Sequence, residues 1–238
     1  MSKVRVMALL LAFELMSAQA GAADDPRNGD IGDIRLGMQA SQLSMDKYMD
    51  FACGTNGGPP SVPLSSWTDF QKCKAEAGSG LHEVYFRFDD ELEYIARAHR
   101  NADAIDRYGG TKLADQPVVV SVLFDDAGTV SGIRIVTDDR ADIADRKTAN
   151  LFGLRIMNRY DPKGWTCIDK PPAGGRTSIG GTYVDRRCTE TFNGDRQLTL
   201  QISQYRRQGQ SGVGINGEYL PGAFENQVRV DILALPHH

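Results

Sequence analysis

Four cysteines have the widest chemical repertoire in this chain, because a thiolate can act as a nucleophile, a metal ligand or a disulfide partner. They are Cys53, Cys73, Cys167 and Cys188. Their spacing lacks the paired Cys-x2-Cys arrangement of a structural zinc site, and the chain has only four histidines. An even count in an exported chain favours disulfides. Of three possible connectivities we predict 53–73 and 167–188, each worth about 3 kcal/mol; free or metal-bound thiols are the alternative.

The other residues capable of acid–base chemistry form no catalytic motif. His82 and His99 are expected to be structural, and no Gly-x-Ser-x-Gly turn is present. The acidic runs at 89–93 and 138–145 lack the EF-hand pattern and suit helix capping. We therefore predict no catalytic residue, no metal site and no cofactor, and hence a protein that is not an enzyme. The alternatives are an envelope hydrolase of glycans or peptides that uses carboxylates, and a carrier of a small ligand or metal.

The N-terminal residues 1–22 have the pattern of a signal peptide. Lys3 and Arg5 precede a short apolar run at 6–13, and small residues around Ala20 and Ala22 offer cleavage sites. No later stretch approaches the length of a transmembrane segment. We predict a periplasmic or secreted protein, for which nucleic acid is not an expected partner.

The cysteines divide the mature chain into two halves of similar layout, 23–139 and 140–238. In each half an aromatic residue, Phe51 or Trp165, stands two positions before the first cysteine, and a turn-rich loop leads to the second. Alternating strand-like runs follow at 81–88 and 196–205. Helix-like stretches precede, one starting near Gln39 and one at 140–160. This order indicates an internal repeat, although identity between the halves is low.

The middle of the chain adds a helical insertion and a hairpin. Leu92, Ile95 and Ile105 recur at helical spacing within the insertion at 89–108. Two β-rich runs then flank a tight turn within 117–138, and a last strand is expected at 226–235. The predicted fold class is α+β, with two related halves that each combine helices, an antiparallel sheet and one disulfide. Whether the halves share one sheet is left open.

The segment 31–137 resembles the SmpA/OmlA (BamE-like) domain and the related β-lactamase-inhibitor-protein-like fold. The matching residues are Ile34, Gly37 and Met38 before the first expected helix, then Phe124, Asp125, Gly128 and Val130 in the hairpin. The resemblance implies a non-enzymatic, protein-binding module of the periplasm.

A long glycine-rich loop at 206–224 is the predicted partner-binding segment. Loops of this length are often functional, and apolar residues on such a loop suit partner contact. The residues we select are Arg206, Arg207, Tyr219, Leu220 and Phe224. The segment 140–207 carries 13 Lys and Arg against 7 Asp and Glu, which suits another envelope protein or an anionic envelope component. Alternatively, the aromatic side chains pack back on the sheet. The oligomeric state is left open.

Overall fold

Strands make up most of the regular structure. The computed structural model describes residues 30–89, 91–207 and 224–235. The strands are β1 (Tyr48–Cys53), β2 (His82–Phe88), β3 (Lys112–Leu113), β4 (Gln116–Phe124), β5 (Val130–Thr137), β6 (Thr166–Asp169), β7 (Arg176–Thr177), β8 (Val184–Phe192), β9 (Arg196–Arg207) and β10 (Phe224–Ala234). The helices are α1 (Glu91–Ala98), α2 (Ala102–Tyr108), α3 (Ile143–Lys147) and α4 (Ala149–Tyr160), with short 3-10 helices at Ala40–Gln42 and Trp67–Lys72. Within these ranges no helix is long and apolar enough to cross a membrane.

All ten strands belong to one antiparallel sheet. Its main path runs β1-β2-β4-β5-β10-β9-β8-β6, with β3 paired to β4 and β7 paired to β9. The strands before residue 138 and those after residue 165 therefore meet along β5 and β10. We call the side of the sheet that carries the large apolar core the front face, and the other side the back face.

The prediction of two α+β halves is wrong, because the protein is mainly β and its two halves share one sheet. The reason lies along β5 and β10. Ile135 lies opposite Val230 and Ile133 opposite Ile232, and all four side chains are buried on the front face. Separate halves would leave both strands as apolar edges in contact with water, whereas pairing them joins the two cores.

The front core gathers apolar side chains from both halves. Trp67 packs edge-on against Tyr48, Phe51 and Phe86, and its Nε1 donates a 2.8 Å hydrogen bond to the carbonyl of Ser44. Over β9 and β10 the front face is covered by α4, which buries Phe152 and Ile156. The helix predicted at 140–160 is thus present in two pieces, α3 and α4.

The helix expected from Gln39 onwards is wrong after its first turn. Residues 40–42 form a 3-10 turn, and Tyr48–Cys53 is the edge strand β1. A bulge in β1, where Asp50 has a positive φ of 56°, interrupts the alternation. Tyr48 and Phe51 are therefore both buried although they stand three residues apart. This spacing imitates the periodicity of a helix.

The helical insertion forms two helices, and in the first of them apolar side chains are exposed and an acidic side chain is buried. Arg100, at a positive φ of 52°, ends the first helical segment, and the Asn101 side chain caps α2. Leu92 and Ile95 are exposed, whereas Glu93 is buried. Ion pairs with Arg87 and Arg97 hold the Glu93 carboxylate inside. The apolar stripe therefore identifies the helices correctly but misidentifies their buried side.

The remaining strand predictions are confirmed. The hairpin comprises β4 and β5, joined by a turn in which Gly128 has the positive φ of 79° that favours glycine. The runs at 81–88, 196–205 and 226–235 correspond to β2, β9 and β10. Both predicted disulfides, Cys53–Cys73 and Cys167–Cys188, are formed.

Candidate functional site

The back face over β2, β4 and β5 is covered by the chain itself. We call this region the closed face, and its side chains are Glu83, Tyr85, Val119, Ser121, Arg134 and Val136, all buried. The first cysteine loop lies directly on it. A Cβ on Gly57 would approach Cγ2 of Val136 to 2.4 Å. Only a glycine at this position lets the loop backbone lie so close to the sheet.

A network of charged side chains holds this cover in place. Arg134, 5% exposed, pairs with Glu76, with Glu83 at 2.9 Å and with Asp231 at 2.8 Å. Burial alone would lower the pKa of Arg134, but its hydrogen bonds to Glu76 and Asp231 outweigh burial and raise that pKa. Every carboxylate of the network therefore faces a permanent positive charge.

The loop is attached to this network through its backbone. Glu83 accepts a 2.6 Å hydrogen bond from the Asn56 amide, and Arg229 donates to the Asn56 carbonyl oxygen at 3.0 Å. Arg229 also pairs with Asp231 at 2.7 Å. Loop, sheet and network thus form one unit that keeps this half of the back face from water.

The back face over β8 and β9 has a different surface. Its side chains are polar and in contact with solvent, and none is buried: Asp185, Arg187, Thr189, Thr191, Gln197, Thr199, Gln201 and Ser203. We call this set the open face. The strand register places them in cross-strand pairs, such as Thr189 opposite Thr199 and Arg187 opposite Gln201. Rigid strands therefore present a regular array of hydrogen-bonding groups.

Comparison with known proteins does not identify a relative of this chain. No family model, curated protein or solved structure matches this chain. The resemblance of 31–137 to the SmpA/OmlA domain stays a prediction.

An aromatic stack lies at one end of the open face. The rings of Tyr183 and Tyr205 are stacked with centroids 5.7 Å apart, and the Arg176 guanidinium lies 4.6 Å from the centre of the Tyr205 ring. Arg176 also pairs with Asp185. The stack holds the short strand β7 against β9 and limits the open face on that side.

The predicted partner-binding residues are described only in part. Arg206 and Arg207 are exposed at the end of β9, and the Arg207 guanidinium pairs with Glu225 at 3.1 Å. Tyr219 and Leu220 lie outside the described residues. Phe224 begins β10 opposite Arg206, but its side chain also lies outside the described part. The structure thus places two of the five residues beside the open face.

The cysteines and His82 occupy structural positions. All four thiols are bonded in disulfides. His82 contacts the carbonyl of Cys73 at 2.6 Å and Asp126 at 3.0 Å, which links the disulfide loop to the turn between β4 and β5. The Cys73 carbonyl raises the pKa of His82, and Asp126 adds to this shift against the effect of burial.

Two carboxylates approach each other beside Gly164. A Cβ on Gly164 would lie 2.7 Å from Glu190 and 3.3 Å from Asp161, so the two carboxylates are within about 6 Å of each other. Burial raises the pKa of Glu190, and the charge of Asp161 raises it further. Glu190 is only 6% exposed, however, and lines neither of the two clefts that flank α4. Neither of these two clefts therefore opens onto this pair.

The open face was not predicted from the sequence, although the sequence contains a signal for it. In the run 196–205, Gln197, Thr199, Gln201 and Ser203 alternate with buried apolar residues. This alternation shows that one side of β9 is polar. It does not show that the same side is covered in one half of the sheet and uncovered in the other, because the cover comes from the distant residues 54–58.

Proposed function

We propose that this chain is an exported, non-enzymatic binding protein of the cell envelope, periplasmic or secreted, and that the open face captures another envelope protein. The observation that supports the proposal is the contrast within one back face. The chain covers the part over β2, β4 and β5 with a loop and a buried network, yet leaves polar side chains accessible on the neighbouring rigid strands.

The composition of the open face suits contact with a protein. Threonine, glutamine and serine both donate and accept hydrogen bonds, and Arg187 adds a cation of the residue type enriched at interfaces. Two disulfides support a location outside the reducing cytoplasm. An anionic envelope component is the other possible partner and is separated by the experiment below.

The test is crosslinking of the full-length, naturally exported protein in its native envelope, followed by mass spectrometry. Thr199→Arg with Gln201→Arg places two bulky charges in the middle of the open face. Gln71→Arg, at an exposed position of the 3-10 helix Trp67–Lys72, is the control on another surface. We expect the same protein partner with the wild type and the control, and its loss with the open-face variant.

Two outcomes contradict the proposal. Equal capture by the open-face variant would move binding to another surface, and capture of no protein by the wild type would remove the protein-binding function. Recovery of lipid or polysaccharide alone would identify the anionic component as the partner.

The loop 206–224 remains a second prediction for the same function. Deleting 212–222 is expected to preserve the fold and abolish capture. If capture survives the deletion but not the open-face variant, binding depends on the strands and not on the loop.

A further inference from the structure

The two ends of the sheet differ in how their outer backbone groups are satisfied. At the β1 end, residues 61–64 of the same chain run alongside the strand. The Cys53 amide donates to the Val62 carbonyl at 2.8 Å, the Ser61 amide to Cys53 at 2.9 Å, and the Leu64 amide to Phe51 at 2.8 Å. The outward backbone groups of Phe51 and Cys53 are therefore already bonded within the chain.

At the other end, the geometry of β6 points backbone groups away from the sheet. The Cα atoms of Cys167 and Cys188 are 4.0 Å apart, the short distance of a non-hydrogen-bonded antiparallel pair. In such a pair the N–H and C=O groups face outward. Lys170, three residues on, donates inward to the Asp185 carbonyl at 2.7 Å, as this alternation requires. Cys167 and Asp169 thus both present outward backbone groups.

No other segment of the described ranges pairs with this outer side of β6, which we call the open edge. Natural sheet edges are protected by very short strands, by charged residues or proline, by a bulge or by a covering segment. β6 has four residues and ends on Asp169, but it contains no lysine, proline or bulge, its register to β8 is regular, and Ile168 is 65% exposed. The Cys167–Cys188 bond fixes the strand to β8, so the edge is held in the conformation that a further strand needs.

The surroundings of the open edge define the chemistry of a matching strand. On the back side, Arg187 lies opposite Ile168, and this exposed cation has no ion-pair partner within the described part of the chain. Two further exposed cations without an ion pair in that part, Lys163 and Lys170, stand before and after β6, and Lys170 lines the front cleft. On the front side, a cleft of about 550 Å³ lies between α4 and the sheet. Leu154, Val184 and Ile202 form apolar parts of its lining, and the Asp169–Arg186 ion pair lies at the same cleft. Alternate side chains of an added strand would therefore meet Arg187 on the back side and the apolar part of the cleft on the front side.

We propose that the open edge binds an extended segment of a partner protein as an additional strand, and that this segment alternates acidic and apolar side chains. This inference rests on the proposed binding function and specifies how the partner is held. Main-chain hydrogen bonds to Cys167 and Asp169 supply affinity, and the alternating side chains supply selectivity.

The first measurement uses a defined probe. A labelled, end-blocked peptide of about nine residues with alternating glutamate and valine is titrated by fluorescence anisotropy against the full-length exported protein. Its lysine–valine counterpart is the control. We expect binding of the acidic peptide to be at least about tenfold tighter, because its carboxylates are attracted to Arg187 and the neighbouring lysines whereas the lysines of the control are repelled. Hydrogen exchange should slow at the amides of Cys167 and Asp169 and stay unchanged at Thr166 and Ile168, which already bond to β8.

A pair of substitutions at one position isolates the backbone contribution. Asp169→Pro removes an outward N–H without removing a bond to β8, whereas Asp169→Ala keeps that N–H; both lose the ion pair with Arg186. We expect Asp169→Pro to bind the acidic peptide about tenfold more weakly than Asp169→Ala. Equal binding by the two variants, or no slowing of exchange at Cys167 and Asp169, would overturn the proposal.

The same pair, used in the envelope crosslinking experiment, separates this inference from the proposed function. Capture of the partner by Asp169→Ala and not by Asp169→Pro supports both. Equal capture by both variants rejects the edge and leaves the binding function intact, whereas capture by neither the wild type nor the variants rejects the binding function. If the protein crosslinked at β6 is a second copy of this chain, the edge serves self-association and the proposal of a partner protein is overturned.

Discussion

The back face of this sheet has two neighbouring regions built on the same strand geometry but with opposite surfaces. The closed face is buried, and the loop at 54–58 covers it at Glu83 and Val136. It contains a charged network centred on Arg134. The open face, one strand beyond β10, carries polar side chains in contact with solvent. Strand pairing is continuous across both regions, so the difference comes from the side chains and their cover and not from the pairing of the strands.

This difference shows what it takes to cover a polar sheet face. A loop that packs on such a face must satisfy the buried polar groups beneath it. On the closed face, Arg134 and Arg229 do this by pairing with carboxylates and with the Asn56 backbone. On the open face, Arg187 has no such partner in the described residues, and the surface stays available for binding.

The largest expected effect comes from removing the centre of the closed network. Arg134→Met keeps much of the side-chain volume but leaves Glu76, Glu83 and Asp231 without their buried cation. We expect the free energy of unfolding to fall by about 3–5 kcal/mol, measured by urea denaturation. Arg187→Met on the open face is the matched control and should change it by less than about 0.5 kcal/mol. Similar losses for both variants would show that the network does not hold the cover.

Removing each disulfide should distinguish the two regions. The double variants Cys53→Ala/Cys73→Ala and Cys167→Ala/Cys188→Ala should each lose about 3 kcal/mol, because the closed loops are of similar length. Only the first should speed hydrogen exchange at Tyr85 and Arg134, because only that disulfide anchors the loop over the closed face. Faster exchange there in the second variant would contradict this assignment.

Removing the charge of each of two buried glutamates should change the stability of the protein in opposite directions. Glu83→Gln weakens bonds to Arg134 and to the Asn56 amide and should cost about 1.5–3 kcal/mol. The Oε2 atom of Glu190 has no hydrogen-bond partner among the described atoms. Glu190→Gln should therefore raise the free energy of unfolding by about 1 kcal/mol at pH 7.5.

The pH dependence checks the cause of the Glu190 effect. Because the pKa of Glu190 is raised in the folded state, the folded protein binds a proton more readily, and wild-type stability falls as pH rises through that pKa. The advantage of Glu190→Gln should therefore shrink as the pH is lowered toward 4. An advantage that is independent of pH would point to packing and not to charge.

The smallest expected effect concerns His82, which links the disulfide loop to the β4–β5 turn. Its raised pKa means that the protonated ring stabilises the fold. This contribution is complete below the unfolded pKa of about 6.5 and is lost as pH rises through the folded value. His82→Gln should cost under about 1 kcal/mol at pH 5.5 and less at pH 8.5. An equal cost at both values would exclude a role for protonation.

Local patterns predict most strands and both disulfides, whereas long-range pairing lies beyond them. Alternation identifies β2, β9 and β10, and Gly128 marks the hairpin turn. The pairing of β5 with β10 joins residues nearly a hundred positions apart, such as Ile135 and Val230. No local pattern specifies that contact, so two halves are the natural but incorrect reading.

The binding surface was less predictable than the fold, for a similar reason. The open face exists because no described segment packs on it. The open edge exists because Cys167 and Cys188 form a non-hydrogen-bonded pair, which turns the backbone groups of Cys167 outward. Both depend on tertiary structure. At the bulge around Asp50 and at Glu93, tertiary contacts also override the local helical pattern. Arg206 and Arg207 could be selected because their charge is visible without any pairing information.

The position of β10 in the middle of the sheet has a consequence for synthesis. Thr137 ends β5, and its pairing strand starts 87 residues later at Phe224. At 5–20 residues per second, a growing chain presents β5 as an unpaired apolar edge for roughly 4–17 s. During this interval the first half is exposed to strand-mediated aggregation. A factor that covers the free edge of β5 until β10 is synthesised would suppress this aggregation.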